Sequence, residues 1–224
     1  MAILTRAQIM ERMKQDALGF TPHLDTFQLQ EHSVDLRLGF TFIIPKSWHL
    51  TPAGREAVRI DPFSTIAQSP YFDIVELEQG QFFELLPGEH ITVSTLEAVK
   101  VPNDLMGVLY PRSSTNRRGL SVDLTGIVDS GYEGQLIIPL RNSTPHQTIR
   151  LYPGERICQI IFEELGEPVM PRRSRYHKKD IIEGMIAGNL PGEREIEMAL
   201  IMKGEIRKLK SEHGVDIGGT KLAD

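Results

Sequence analysis

Residues 110–142 read YPRSSTNRRGLSVDLTGIVDSGYEGQLIIPLRN, and their pattern decides the fold class. Short apolar runs end in Gly or Pro before they reach helical length, as in half-buried strands joined by tight turns. Two polar segments interrupt them. In the first, Arg112, Ser113, Ser114, Arg117 and Arg118 place cations and hydroxyls within seven residues, a composition suited to anionic oxygens that accept charge-assisted hydrogen bonds. In the second, Asp129 lies inside the Gly-bounded stretch GIVDSGYEG. An acidic group near a basic turn is able to orient a water or support a bound cation, the parts that phosphoanhydride hydrolysis needs.

Outward from this segment the same pattern continues. TFII, YFDIVEL, QFFELL, HITVSTLEAV, LMGVLY, QLIIPL and RICQIIF are short β-like runs between Val34 and Leu165, punctuated by Pro45, Gly80, Pro87, Gly88, Pro102, Gly119, Gly134, Pro153 and Gly154. Many short strands with regular turns predict a mainly β domain of sandwich or jelly-roll barrel type. Residues 4–18, with Leu4, Ile9, Met10, Met13 and Ala17 behind Thr5, predict a short N-capped amphipathic helix. Pro168, Pro171 and the basic run RRSRYHKK at 172–179 mark a boundary. The expected organisation is a β domain over 1–167 and a linker, helix and tail over 168–224, with Glu193 to Lys210 as one helix striped by Ile196, Ala199, Met202, Ile206 and Leu209.

Composition narrows the function classes. A net charge of −5 argues against a general nucleic-acid coat. The single cysteine, Cys158, excludes an intramolecular disulfide framework and a multi-cysteine zinc site, and its apolar setting predicts an inert core thiol. No stretch approaches the length of a membrane span and no leader pattern opens the chain, so a cytoplasmic protein without membrane or nucleic-acid partners is expected.

Four segments, in order, carry a family resemblance: HSVDLRLG at 32–39, PRSS at 111–114, GIVDSGYEG at 126–134 and PGERICQIIF at 153–162. Together they resemble the trimeric dUTPase and dCTP deaminase superfamily over roughly residues 3–165, and the opening ILTRAQIMERM resembles the N-terminal helix of the deaminase branch. The resemblance implies a distorted jelly-roll β-barrel, a homotrimer with sites between subunits, and magnesium carried with a deoxynucleoside triphosphate. It implies that Arg112, Ser113, Ser114 and Arg117 hold the triphosphate, that Asp129 activates the water attacking the α-phosphorus, and that Tyr132 packs on the deoxyribose. It further implies that Gly126, Gly131 and Gly134 let backbone approach the pyrimidine and turn tightly, and that Gln159 lies near the phosphates. Asp35 matches an aspartate that holds the water shell of magnesium, with a strand-end salt bridge as its other reading. Zinc is not implied, because H-x-E with P-C-x-x-C is missing.

Three departures from the pattern matter. Pro139 stands where deaminases place their catalytic glutamate, and proline relays no proton; Glu133 is the nearest carboxylate in sequence. A proline in a strand also predicts an edge or a bulge. Asp123 replaces the asparagine of GNxxGxID and, accepting only, suits the cytosine amine better than a uracil carbonyl. The glycine-rich arm of dUTPases has only HGVDIGGTKLAD as a substitute, where Gly218, Gly219, Thr220 and Lys221 either cap a phosphate or form a tail. The expected activity is Mg-dependent hydrolysis of a pyrimidine deoxynucleoside triphosphate, dUTP first. The alternatives are dCTP deamination, a dCTP pyrophosphatase and a non-catalytic nucleotide-binding regulator.

Overall fold

A computed structural model describes residues 2–59, 71–123, 126–170, 193–217 and 220–221. The basic run at 172–179, Gly218 and Gly219 lie outside the described residues. The predicted mainly β architecture is present as a curled antiparallel sheet. Its path runs β10 (Ile127–Val128), β8 (Leu105–Pro111), β13 (Arg156–Glu164), β2 (Val34–Pro45), β7 (His90–Lys100), β11 (Glu133–Asn142) and β9 (Leu120–Val122). Two more strands attach to it, β1 (Gly19–Thr21) on β7 and β5 (Phe72–Glu76) on β2.

The curl originates in β2. Its first residues, Val34 to Arg37, pair with β13, whereas Leu38 to Ile43 pair with β7 and Thr41 to Pro45 with β5. The strand changes partners at a register shift between Leu38 and Phe42, the local kink and added twist that turn a sheet corner. Gly39 sits in that shift because nothing larger fits: an added Cβ would lie 2.2 Å from Ser94 Oγ and 2.8 Å from the Thr95 carbonyl oxygen. Inside the curl, Leu36, Leu38, Phe42, Val93, Ile138, Leu140, Ile157 and Phe162 are buried in one apolar cluster. Cys158 joins them, and burial pushes its thiol pKa up, as an inert core cysteine requires.

A buried carboxylate holds the β2 corner. Glu97 on β7 is 1% exposed; its Oε2 accepts from the Arg37 backbone N–H at 2.9 Å and its Oε1 from Gln28 Nε2 at 2.7 Å. Arg37 lies opposite the irregularity between Arg156 and Cys158, so the side chain satisfies a donor at a break in the ladder. Burial pushes the Glu97 pKa above the ordinary range, while the bonds from Arg37 and Gln28 pull it part of the way back.

At the ends of the chain the predictions fare unevenly. The helix expected over 4–18 is shorter, α1 (Arg6–Lys14); Thr5 is its N-cap as expected, in a full capping box with Gln8 that the sequence expectation did not include, and the helix buries Ile9. The single C-terminal helix is corrected to two, α3 (Glu193–Met202) and α4 (Ile206–Glu212). Gly204 adopts φ +70°, and the bonds Gly204 N–H to Ile201 O and Glu205 N–H to Leu200 O close the first helix in a Schellman turn. The expected stripe is exposed at Ile196, Met202 and Ile206, and Met198 and Leu200 are buried instead. Among the described residues no helix is long and apolar enough to cross a membrane.

Two stability predictions follow from the corner. Gly39→Ala should cost about 1–3 kcal/mol through overpacking, seen as a Tm lowered by several degrees; an unchanged Tm contradicts the close approach. For Glu97 the raised pKa means that the folded chain keeps a proton the unfolded chain has released. Stability therefore falls as pH rises from the ordinary glutamate range through the raised value, and is flat above it. Melting wild type and Glu97→Gln between about pH 8 and about pH 5 should show wild type gaining on the variant as pH drops. Parallel curves contradict it.

Candidate functional site

Three of the four sequence motifs meet at one end of neighbouring strands. Gln159 on β13 pairs with Asp35 of β2 on one side and with Tyr110 of β8 on the other. β8 ends at Pro111, and the chain turns into the one-turn helix α2 (Ser113–Asn116), with Arg112 at its N-cap. The HSVDLRLG, PRSS and PGERICQ segments are thereby placed side by side.

Asp35 is the centre of this cluster. Its side chain is 3% exposed, and its Oδ2 lies 3.2 Å from Arg112 Nε and 3.1 Å from Arg156 Nη1. Arg112 Nη1 also donates to the Arg156 carbonyl oxygen at 3.1 Å, and Arg156 Nη1 to the Phe27 carbonyl oxygen at 2.6 Å. Burial pushes the Asp35 pKa up, and Arg112 and then Arg156 pull it down without cancelling the rise. The strand-end salt-bridge reading of Asp35 is thus what the geometry displays, with the pair buried at the start of β2. Around it, Ser113, Ser114 and Arg117 are exposed. Gln159 is half-buried between Ser33 Oγ, which donates to its Oε1 at 3.3 Å, and the Pro111 carbonyl oxygen. Arg118 is ion-paired with Glu155.

Sequence reasoning missed Arg156 and Gln28. Arg156 is in the quoted PGERICQ motif, but only Gln159 was nominated there; the signal was a second arginine with an aspartate expected nearby. Gln28, which donates to the Asp35 carbonyl oxygen at 2.9 Å, stands in a polar stretch with no motif to mark it.

The Asp129 hairpin lies elsewhere. Val128 pairs with Gly107, and Ser130 Oγ donates to the Leu105 carbonyl oxygen at 2.6 Å, so this turn sits at the Leu105 end of β8. Arg112 is five residues beyond Gly107, about 16 Å along the strand at roughly 3.3 Å per residue. The turn is fixed by Gly131 N–H to Val101 O, Val101 N–H to Tyr132 O and Tyr132 N–H to Asp129 O. Gly131 has φ +74°, as a tight reversal requires. Asp129 is exposed. Tyr132 packs its ring partly into the core, and its hydroxyl donates to the Gln135 carbonyl oxygen at 2.6 Å.

Between these two ends the hairpin arms separate. β9 pairs with Leu140 to Asn142 of β11, and Asp123 N–H still donates to the Pro139 carbonyl oxygen at 3.0 Å. By Gly126, whose φ is +93° and whose carbonyl accepts from Leu109 N–H at 2.7 Å, the chain has passed to β8. Asp123 Oδ1 accepts from Ser121 Oγ at 2.5 Å, and Arg141 Nη2 is 3.5 Å from its Oδ2.

The expectation of an edge or bulge at Pro139 is corrected. β11 runs between β7 and β9, Pro139 is opposite Thr92, and the irregularity of β11 falls between Gln135 and Ile137. Proline is tolerated because its carbonyl faces Asp123, so the missing N–H faces the same way, at the rung where β9 leaves the ladder.

As to a metal, the described residues hold no group of three His, Cys, Asp or Glu side chains. They fit magnesium only as an ion arriving on phosphates with its own waters.

Comparison with known proteins gives this arrangement its relatives. A dCTP deaminase, dUMP-forming, of Dictyoglomus thermophilum is 41% identical over 179 residues, covering 79% of this chain and 86% of that protein. A dCTP deaminase of Haloarcula marismortui is 35% identical over 202 residues, covering 86% and 97%. The crystal structure of the 2'-deoxycytidine 5'-triphosphate deaminase from Agrobacterium tumefaciens superposes with a TM-score of 0.52 at 25% identity; the match spans 71% of this chain but 48% of that one, about half its length. The sequence model of the dCTP deaminase-like family matches residues 3–165, the span that contains all four motifs. The chain belongs to the dCTP deaminase-like family.

Proposed function

We propose that the protein hydrolyses a pyrimidine deoxynucleoside triphosphate to the monophosphate and pyrophosphate, at sites shared between copies of a homotrimer. The observation that carries this reading is the division of the motifs: the Arg112–Arg117 turn, with Ser113, Ser114 and Arg117 exposed, lies at one end of β8 and the exposed Asp129 at the other. Neither end alone holds both an anion-binding turn and a water-activating carboxylate. A second copy supplies the missing half.

In the proposed reaction Asp129 takes a proton from a water, whose oxygen forms a bond to the α-phosphorus. The bond from that phosphorus to the α,β-bridging oxygen breaks, and pyrophosphate leaves with the electron pair. Ser113, Ser114 and Arg117 face solvent and bind the phosphate oxygens, while Arg112 is held in place by Asp35. Gln159 supports the turn through the Pro111 carbonyl oxygen. Gly126 lets backbone approach the base, and the face of Tyr132 covers the deoxyribose. Magnesium carried on the triphosphate would add charge neutralisation and keep its own waters, while the Asp35 carboxylate stays with Arg112 and Arg156.

On motif resemblance alone, before the residue at the base is considered, dUTP comes first among substrates. A second reading, deamination of dCTP ahead of hydrolysis, is favoured by relatives named as dUMP-forming dCTP deaminases. It needs a group that relays a proton, and the corresponding position is Pro139, half-buried and without a titratable atom.

The test is to incubate the protein with dUTP and with dCTP plus Mg²⁺ and to resolve monophosphate, pyrophosphate and ammonia. Pyrophosphate without ammonia is expected. Asp129→Asn should lower turnover by about 10²–10⁴ while nucleotide binding persists. Near wild-type turnover in that variant removes Asp129 from its role, and ammonia from dCTP establishes the second reading.

A further inference from the structure

We propose that Asp123 sets the pyrimidine preference of this chain, by accepting a hydrogen bond from the exocyclic amine at C4 of cytosine. The inference rests on the nucleotide-hydrolysis reading of the same site and adds to it the identity of the base.

Its first support is position. The two arms of the 120–142 hairpin are joined at their base by the β9–β11 pairs and at their tip by the turn at Asp129 to Tyr132. Between them one arm pairs with β8 and the other with β7. The arms part at Asp123, the last residue still bonded to β11. A planar ring entering between the arms with its sugar on Tyr132 has its far edge directed toward that parting.

Hydrogen-bond polarity supplies the second support. Leu120 and Val122 are buried on the inner face, as are Ile138 and Leu140, so Asp123 and Pro139 share the outer face of one rung. Pro139 has no N–H, and its carbonyl is already used by Asp123 N–H. The remaining groups at this rung are therefore acceptors. Ser121 Oγ donates to Oδ1 at 2.5 Å, and Arg141 Nη2 is ion-paired with Oδ2 at 3.5 Å. A carboxylate accepts and never donates. The C4 position of cytosine carries an NH₂ donor, whereas that of uracil carries a carbonyl oxygen, which would face the carboxylate as a like dipole. A site built to receive a donor rejects the analogue that lacks it.

The experiment uses the full chain. Wild type should give a higher kcat/KM for dCTP than for dUTP, with dCMP and pyrophosphate as products. Asp123→Asn, which supplies a donor of the same shape, should move the dCTP:dUTP ratio toward dUTP by about 10–10²-fold. Ser121→Ala, which frees the carboxylate from one of its anchors, should move it less and in the same direction, and serves if Asp123→Asn does not fold. A wild type that prefers dUTP, or a ratio unchanged within about twofold in the Asp123 variant, overturns the proposal. So does ammonia released from dCTP and lost in Asp123→Asn, which would make the carboxylate a deamination base instead. Equilibrium binding of dCTP and dUTP to wild type and Asp123→Asn, without Mg²⁺, reads the base preference separately. If wild type binds dCTP in preference and hydrolyses neither nucleotide, the hydrolysis reading fails and the assignment of Asp123 stands.

Discussion

A carboxylate nearly removed from water and held by two guanidinium groups organises this molecule. Asp35 sits on β2, Arg112 follows β8 and Arg156 begins β13, so one charge cluster fixes the order β8, β13, β2 at the end where the motifs meet. Removing a single partner would strand a buried charge, a loss of about 3–5 kcal/mol in comparable cases. The cluster is thus as much a positional constraint as a source of stability. It aims Arg112 from the N-cap of α2 and leaves Ser113, Ser114 and Arg117 facing outward. Glu97 supports it from behind through Gln28, whose amide bridges Glu97 Oε1 and the Asp35 carbonyl oxygen.

The β runs were legible because each is an apolar stretch closed by Gly or Pro, and the N-cap of α1 could be read from Thr5. The break between α3 and α4 was signalled by Gly204, but an apolar stripe that continued past it overrode the glycine. Pro139 shows a different limit. Sequence forbids a lost ladder donor but does not say where the neighbouring strand stops, and β9 stops at that rung. The candidate site was half legible. Its motif residues could be named, but Gln28 and Glu97 act through buried hydrogen bonds between segments far apart in sequence, and no local pattern records those. Tyr132, assigned to a sugar, also serves the core, with its hydroxyl used by the Gln135 carbonyl oxygen.

Membership of the dCTP deaminase-like family rests on the match over residues 3–165 and on relatives up to 41% identical among those compared. Asp123 and Pro139 are neighbours within that matched span. They face each other across one rung of the β9–β11 ladder, linked by Asp123 N–H to Pro139 O. A proton-relaying side chain has no place at Pro139, and a carboxylate stands opposite.

In the proposed trimer, Arg117 of one copy and Asp129 of another complete one active site, and this sharing is open to a direct test. It is tested most directly by mixing two separately inactive proteins, Arg117→Glu and Asp129→Asn, after dissociation and reassembly, and measuring pyrophosphate release. If sites are shared in a ring of three, random assembly should restore about a quarter of wild-type activity, because an interface is intact only when the chain supplying Arg117 carries the Asp129 lesion and the chain supplying Asp129 carries the Arg117 lesion. No recovery above the unmixed variants, with mixed assemblies shown to have formed, would place both residues in a site within one chain and contradict the account.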